Sequence, residues 1–184
     1  MIKTDNPAGR LYAILNEAKN MSHNISTRDV WLKVFKIESK SQTELFRTLT
    51  SLQELMDEIK EQLNEADDIN KDLYIKYLPN IERVIRVTNL DTSWNSYRES
   101  LSDVAMYNLA HCAEILSSRY GESTIEEQEL FKLKDEIDTL YEIVRTGSLN
   151  KELKIIILDQ LEIIRRAIHE YRIRGAKGLH KALR

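Results

Sequence analysis

The longest amphipathic stretch of the chain is residues 149–174, LNKELKIIILDQLEIIRRAIHEYRIR. At ~100° per residue, its apolar side chains fall within one arc of about 160° on a helical wheel. The members of this arc are Leu153, Ile156, Ile157, Leu161, Ile163, Ile164, Ala167, Ile168 and Tyr171. An arc of this width predicts a helix that packs against at least two neighbours. Ser148 is the predicted N-cap, and Gly175 is the predicted stop signal.

Two further apolar residues of this stretch, Ile155 and Leu158, lie outside the arc. Apolar side chains on the otherwise polar side of a helix indicate either that this end of the helix is covered on all sides or that it meets a second copy of the chain. We predict that Ile155 and Leu158 take part in self-association through a two-fold contact between copies of the chain.

A second regular pattern precedes this stretch. Over residues 125–146, apolar side chains recur at spacings of three and four, at Leu130, Leu133, Ile137, Leu140 and Val144. Ser123 or Thr124 can cap this helix, and Gly147 ends it. The short connection that follows predicts a long antiparallel helical hairpin over residues 124–174. Residues 175–184 are predicted either to form one or two further helical turns or to fray.

The rest of the chain also favours helices. Apolar positions and capping residues predict helices at 7–20, 28–37, 42–66, 70–78, 79–88 and 100–119. Asn6 is the predicted N-cap of the first of these helices, and Ser26 or Thr27 is that of the second. The helix 42–66 is predicted to bury an apolar seam with spacings of four and three residues, at Leu45, Leu49, Leu52, Met56, Ile59 and Leu63. No segment alternates with period two, and the chain has only 5 Gly and 2 Pro. The predicted fold is therefore an all-α bundle of about seven helices, with residues 1–184 forming a single domain.

Composition also suggests where the protein resides. The single Cys112 rules out an intramolecular disulfide. No signal peptide and no run of ~18 apolar residues is present, which predicts a soluble, cytoplasmic protein without a membrane partner.

The titratable residues show no spacing typical of a metal site. The four histidines, at positions 23, 111, 169 and 180, have no ligand at zinc-like spacing other than the adjacent Cys112, and adjacent helical residues diverge. No Glu-x-x-His pair is present, so a di-metal carboxylate site is not expected either. We predict no metal and no cofactor, a buried Cys112 and a solvated His169.

Charge is the most uneven feature of the sequence. Residues 165–184 carry one acid, Glu170, and seven bases, namely Arg165, Arg166, Arg172, Arg174, Lys177, Lys181 and Arg184. Residues 52–72 and 122–142 are acidic. We predict that Arg165, Arg172, Lys177 and Lys181 bind an acidic protein partner. A nucleic acid is the less favoured partner, because the acidic helices would repel phosphate and Tyr171 is the only aromatic residue available for base stacking.

Five residues separate Arg174 from His180. This spacing resembles the Arg-x4–6-His signature of HEPN domains, which are all-α and often dimeric. The resemblance implies metal-independent RNA cleavage, with Arg174 and His180 as the catalytic pair and the ribose 2′-hydroxyl as the attacking group. Gly175 departs from the family pattern, which usually has a polar residue there.

The segment EYRIRGAKGL, residues 170–179, resembles the C-termini of uncharacterised bacterial helical proteins, a resemblance that implies no activity. The sequence as a whole predicts a non-enzymatic protein-interaction or regulatory module. A bacterial or phage immunity or defence-accessory protein would fit this pattern. The alternative is an RNase of a defence or toxin–antitoxin system that uses Arg174 and His180.

Overall fold

The computed structural model describes residues 2–38 and 41–184. Ten helical segments follow one another: α1 (Pro7–Lys19), α2 (Thr27–Val34), α3 (Gln42–Glu65), α4 (Lys71–Ile75), α5 (Leu78–Ile85), α6 (Asn95–Arg98), α7 (Asp103–Tyr120), α8 (Glu127–Thr146), α9 (Lys151–His169) and α10 (Tyr171–Ala182). The described residues contain no β-strand, only an isolated bridge between Ser26 and Ser93. The predicted all-α fold is confirmed.

The chain divides into two compact units, residues 1–121 and residues 122–184. The first contains α1 to α7 and the second contains α8 to α10. The prediction of a single domain over residues 1–184 stays a prediction.

Helix α1 forms the centre of the first unit. Asn6 caps it as predicted, because its side-chain oxygen accepts a hydrogen bond from the Gly9 N–H at 3.0 Å. The Asn6 amide also donates to the Ala113 carbonyl of α7 at 3.0 Å. The apolar side of α1 is fully buried, with Leu11 and Ile14 at its middle, and the helix packs against α2, α3 and α7.

Helix α3 confirms the period predicted for its apolar seam. Its predicted positions are all buried, namely Leu45, Leu49, Leu52, Met56, Ile59 and Leu63. Two tryptophans complete the same core. The Trp94 Nε1–H donates to the Ala18 carbonyl at 3.1 Å, and the Trp94 ring meets Trp31 edge to face with 5.8 Å between centroids.

The second unit is built on the antiparallel pair α8 and α9, with α10 packed on α9. Its helix boundaries differ from those predicted. Asn150, rather than Ser148, caps α9 by accepting a hydrogen bond from the Glu152 N–H. Helix α9 ends at His169 instead of continuing to residue 174. Of the two alternatives predicted for residues 175–184, further helical turns are confirmed: the chain is helical up to Ala182, apart from a break at Gly175, where φ is 62° and ψ is −162°.

Helix α9 packs against two neighbours, α8 and α10, as predicted, but its apolar arc is only partly covered. Only Leu161, Ala167 and Ile168 are buried in this helix, and three members of the predicted arc, Leu153, Ile156 and Ile163, are exposed. The reason is length. Helix α10 has 12 residues against 19 in α9, so it can cover only part of the side that faces it.

Candidate functional site

The second unit carries basic side chains on the last turn of α9, on α10 and at the residue that follows the C-cap of α10. Five basic side chains are exposed there, Arg166, Arg172, Lys177, Lys181 and Arg184, and we call this set the basic end. Three of the four residues predicted to bind a partner, Arg172, Lys177 and Lys181, belong to this set.

The backbone beneath the basic end is held in place by contacts to the segment before α8. The Tyr171 hydroxyl accepts a hydrogen bond from the Ile125 N–H at 2.7 Å. The Lys177 N–H donates to the Glu122 carboxylate at 3.3 Å. Leu179 packs with Ala167 and Ile168 in an apolar cluster between α10 and α9. The basic side chains therefore project from a fixed support.

The fourth predicted partner-binding residue, Arg165, has contacts within the hairpin. Its Nε lies 2.7 Å from a carboxylate oxygen of Asp138, and its Nη1 donates to Glu162 at 3.2 Å. Its guanidinium also lies 4.8 Å from the centroid of the Tyr141 ring. Because Asp138 and Tyr141 belong to α8, Arg165 links the two helices of the hairpin.

The two residues that resemble the HEPN signature lie in α10. The Arg174 Nε donates to the carboxylate of Glu170, a residue that is buried. The aliphatic part of Arg174 lies close to Gly178, since a Cβ at Gly178 would be 2.5 Å from the Arg174 Cβ. His180 is exposed. The non-helical backbone at Gly175 separates Arg174 from His180, so their spacing is not that of one continuous helix.

One side of the hairpin forms a second surface, which is apolar. On α9, Ile156, Ile163 and Ala167 are spaced by seven and four residues and therefore share a face. Helix α10 covers that face at Ala167, whereas Ile163 and Ile156 are exposed. On α8, Leu133 packs against the same cluster, and Leu140, seven residues later, is exposed.

This surface, which we call the open side, consists of Leu140 and Ile143 of α8 and Leu153, Ile156 and Ile163 of α9, all exposed. The sequence predicts packed positions for four of these residues, all but Ile143. Their exposure could have been predicted from segment lengths, because residues 175–184 are too few to cover a hairpin predicted to span residues 124–174.

The residues predicted to mediate self-association lie elsewhere on α9. Ile155 is 50% exposed and Leu158 is half-buried. Ile155 is about 100° around the helix from Ile156, so it does not belong to the open side.

The remaining candidates from the sequence offer little reactive chemistry. Cys112 is buried, and burial raises the pKa of its thiol to about 12, so the thiol is protonated at neutral pH. His169 is exposed. A surface depression on α8 is lined by Glu127, Gln128, Phe131 and Lys132. Within residues 2–38 and 41–184, no three His, Cys, Asp or Glu side chains are grouped so that they could hold a metal ion.

Among the described helices, none is both long enough and apolar enough to cross a membrane. Comparison with known proteins gives no family: no family model, no curated protein and no solved structure matches this chain.

Proposed function

We propose that this protein is a non-enzymatic, regulatory protein-interaction module and that its basic end docks on an acidic surface of a partner protein. The observation that carries the proposal is the set of five exposed basic side chains on a backbone fixed by Tyr171, Glu122 and the α9–α10 cluster. A fixed array of like charges steers an oppositely charged partner and sets its orientation. A bacterial or phage immunity or defence-accessory protein is one setting in which such a module would act.

The distribution of acids supports a protein partner over a nucleic acid. Helix α8 presents exposed carboxylates at Glu127, Glu129 and Glu136, within the same unit as the basic end. A nucleic acid that extended beyond the basic end would meet these carboxylates and be repelled. A compact acidic protein surface can contact the basic end alone.

The contacts of Arg165 determine how the proposal is tested. Removing Arg165 would also remove its ion pair with Asp138 and its contact with Tyr141, which join α8 to α9. Arg165→Ala is therefore measured as a separate variant, and the main variant replaces only Arg172, Lys177 and Lys181 by Ala.

The experiment is capture of partners from the native host, followed by titration of the captured protein against the wild type and the triple variant. We expect the triple variant to bind about tenfold or more weakly and with a shallower dependence on salt, because it offers three fewer charges. The matched control replaces Lys132, Lys134 and Lys151, which are exposed elsewhere in the same unit, and should bind like the wild type.

Three results would contradict the proposal. The triple variant could bind the partner as tightly as the wild type. The basic end could retain nucleic acid and no protein. The wild type could cleave RNA without metal, with the activity lost in His180→Ala, which would favour the alternative in which Arg174 and His180 act as a catalytic pair.

A further inference from the structure

We infer that two copies of this chain associate through the open side of their hairpins, forming a four-helix bundle from α8 and α9 of each copy. This inference goes beyond the proposed function, because it concerns other residues than the basic end. It starts from the pattern of burial on α9, where the face covered by α10 at Ala167 continues uncovered at Ile163 and Ile156.

The composition of the open side favours a bundle core. Its five residues are only Leu and Ile, the side chains that fill the cores of helical bundles. Interfaces with unrelated proteins are instead enriched in aromatic residues, Met and Arg. A hairpin that leaves one side bare lacks a second layer of helices, and another hairpin supplies a layer of matching width.

The area agrees with a weak but specific dimer. The five side chains are each close to half exposed, with Ile143 at 60% and Ile156 at 59%. Together they present on the order of 450 Å² of apolar surface per copy, so two copies would bury about 900 Å² from these side chains alone. With the polar residues around them, the total reaches the range of roughly 1,000 Å² at which specific interfaces begin.

The polar residues around the open side permit contact with an identical surface. On α9, Gln160 between the exposed apolar positions is uncharged. On α8, Glu136 lies four residues before Leu140 and seven before Ile143, so it is an exposed carboxylate on the same face. Glu152 and Asp159, on the outer margin of α9, would lie near carboxylates of the other copy. Their repulsion limits the affinity, and salt should relieve it. Self-association is therefore expected to strengthen with salt, whereas the docking of the basic end should weaken.

The test is sedimentation equilibrium of the full chain at about 5 to 300 µM, a range that detects micromolar dissociation constants. We expect the mean mass to rise from 21.5 kDa for one chain toward twice that value. The variant that combines Ile143→Gln and Ile156→Gln should associate at least about tenfold more weakly. Glutamine is used because it adds no charge to the helices.

The matched control is Ile155→Gln. Ile155 is 50% exposed and adjacent to Ile156 in sequence, but it lies outside the open side. This variant should dimerise like the wild type. A dimer that is lost in Ile155→Gln and kept in the double variant would overturn the inference and favour the contact through Ile155 and Leu158 that the sequence predicts.

A measurement on the unmodified chain avoids any variant that fails to fold. Amide hydrogen exchange at 5 and 300 µM should show slower exchange at the higher concentration in residues 140–156, with little change in α1 or α3. A wild type that remains monomeric throughout the concentration range, or protection confined to other segments, would overturn the inference.

Discussion

The protonation state of the Cys112 thiol follows from its burial. Cys112 lies on α7, and burial raises the pKa of its thiol to about 12 from the ordinary 9.0. The thiolate is the reactive form of cysteine, and a native state that excludes it leaves the residue inert at neutral pH. The sequence predicted a buried Cys112 because it shares a face with Leu109 and Leu116, both of which are buried.

We expect the Cys112 thiol to be unreactive toward an aromatic disulfide reagent at pH 8 in the native protein and to react promptly in denaturant. Because the native pKa is raised, the native state keeps a proton that the unfolded state loses between pH 9 and 12. The stability from this group is thus complete below pH 9 and should fall by about 1.4 kcal/mol per pH unit above it.

Chemical denaturation at pH 8 and pH 10 measures this loss, with Cys112→Ala as the control that lacks the titrating group while keeping every other alkaline titration. Rapid labelling of the native protein would show that the thiol is accessible. Equal losses of stability in the two proteins would show that the native pKa of the thiol is not raised.

Two adjacent arginines, Arg165 and Arg166, differ in contacts that the sequence alone does not predict. Arg165 and Arg166 are indistinguishable by charge, yet Arg165 pairs with Asp138 of the opposite helix and Arg166 is exposed. The difference depends on which α8 side chain stands across the hairpin. That alignment follows from how the two helices pack, and local spacing does not determine it.

At the scale of elements, capping predicted several helix starts correctly and the apolar period predicted most of the helices. Asn6 and Ser26 cap α1 and α2 as expected, because each offers a side-chain oxygen to an unpaired N–H. The end of α9 was missed. The helix ends at its C-cap Glu170, five residues before Gly175, the residue that was expected to end it. The buried carboxylate of Glu170 accepts a hydrogen bond from Arg174.

The hairpin offers a paired test of where its core ends. Ile137 packs against the α9–α10 cluster, whereas Leu140, one turn later on α8, is 43% exposed. Ile137→Asp should destabilise the protein by about 3 kcal/mol or more, because a carboxylate without a partner enters an apolar cluster. Leu140→Asp should cost less than about 1 kcal/mol.

Thermal melting at about 5 µM, where a weak dimer is dissociated, measures both effects. The sequence pattern alone treats the two positions as equivalent. Equal losses for Ile137→Asp and Leu140→Asp would therefore mean that the apolar seam is covered along its whole length.

At the scale of the whole molecule, the buried apolar side chains are concentrated in residues 1–121. All twelve of the largest fully buried side chains belong to that unit, including Trp31, Trp94 and Ile59. The sequence predicted the all-α class, but its longest amphipathic stretch, residues 149–174, does not contain the most deeply buried helix. The apolar content of residues 149–174 indicates that this helix can be buried, but it does not show that other helices surround it. Helix α1 is buried because three other helices, α2, α3 and α7, pack around it.

We expect limited proteolysis to cut residues 122–184 before residues 1–121, because segments with few buried contacts open at lower free-energy cost. In dilute protein, trypsin should cut first near the hairpin tip, at Arg145 or Lys151, both of which are exposed. Mass spectrometry of the early fragments identifies the sites. Chymotrypsin, which has a different specificity, should give the same order, and an early cut by either protease in α1 or α3 would contradict it.

The backbone at Gly175 limits which variants of this gene can keep the same surface. With φ at 62° and ψ at −162°, the residue occupies a region that is essentially confined to glycine. Exchanges between Lys and Arg at positions 172, 177 and 181 retain the charges. Replacing one of the two α-hydrogens of Gly175 by a methyl group would instead redirect residues 176–182 and separate Lys177 and Lys181 from Arg172. Gly175, which has no side chain, is therefore expected to tolerate fewer substitutions than the charged residues of α10.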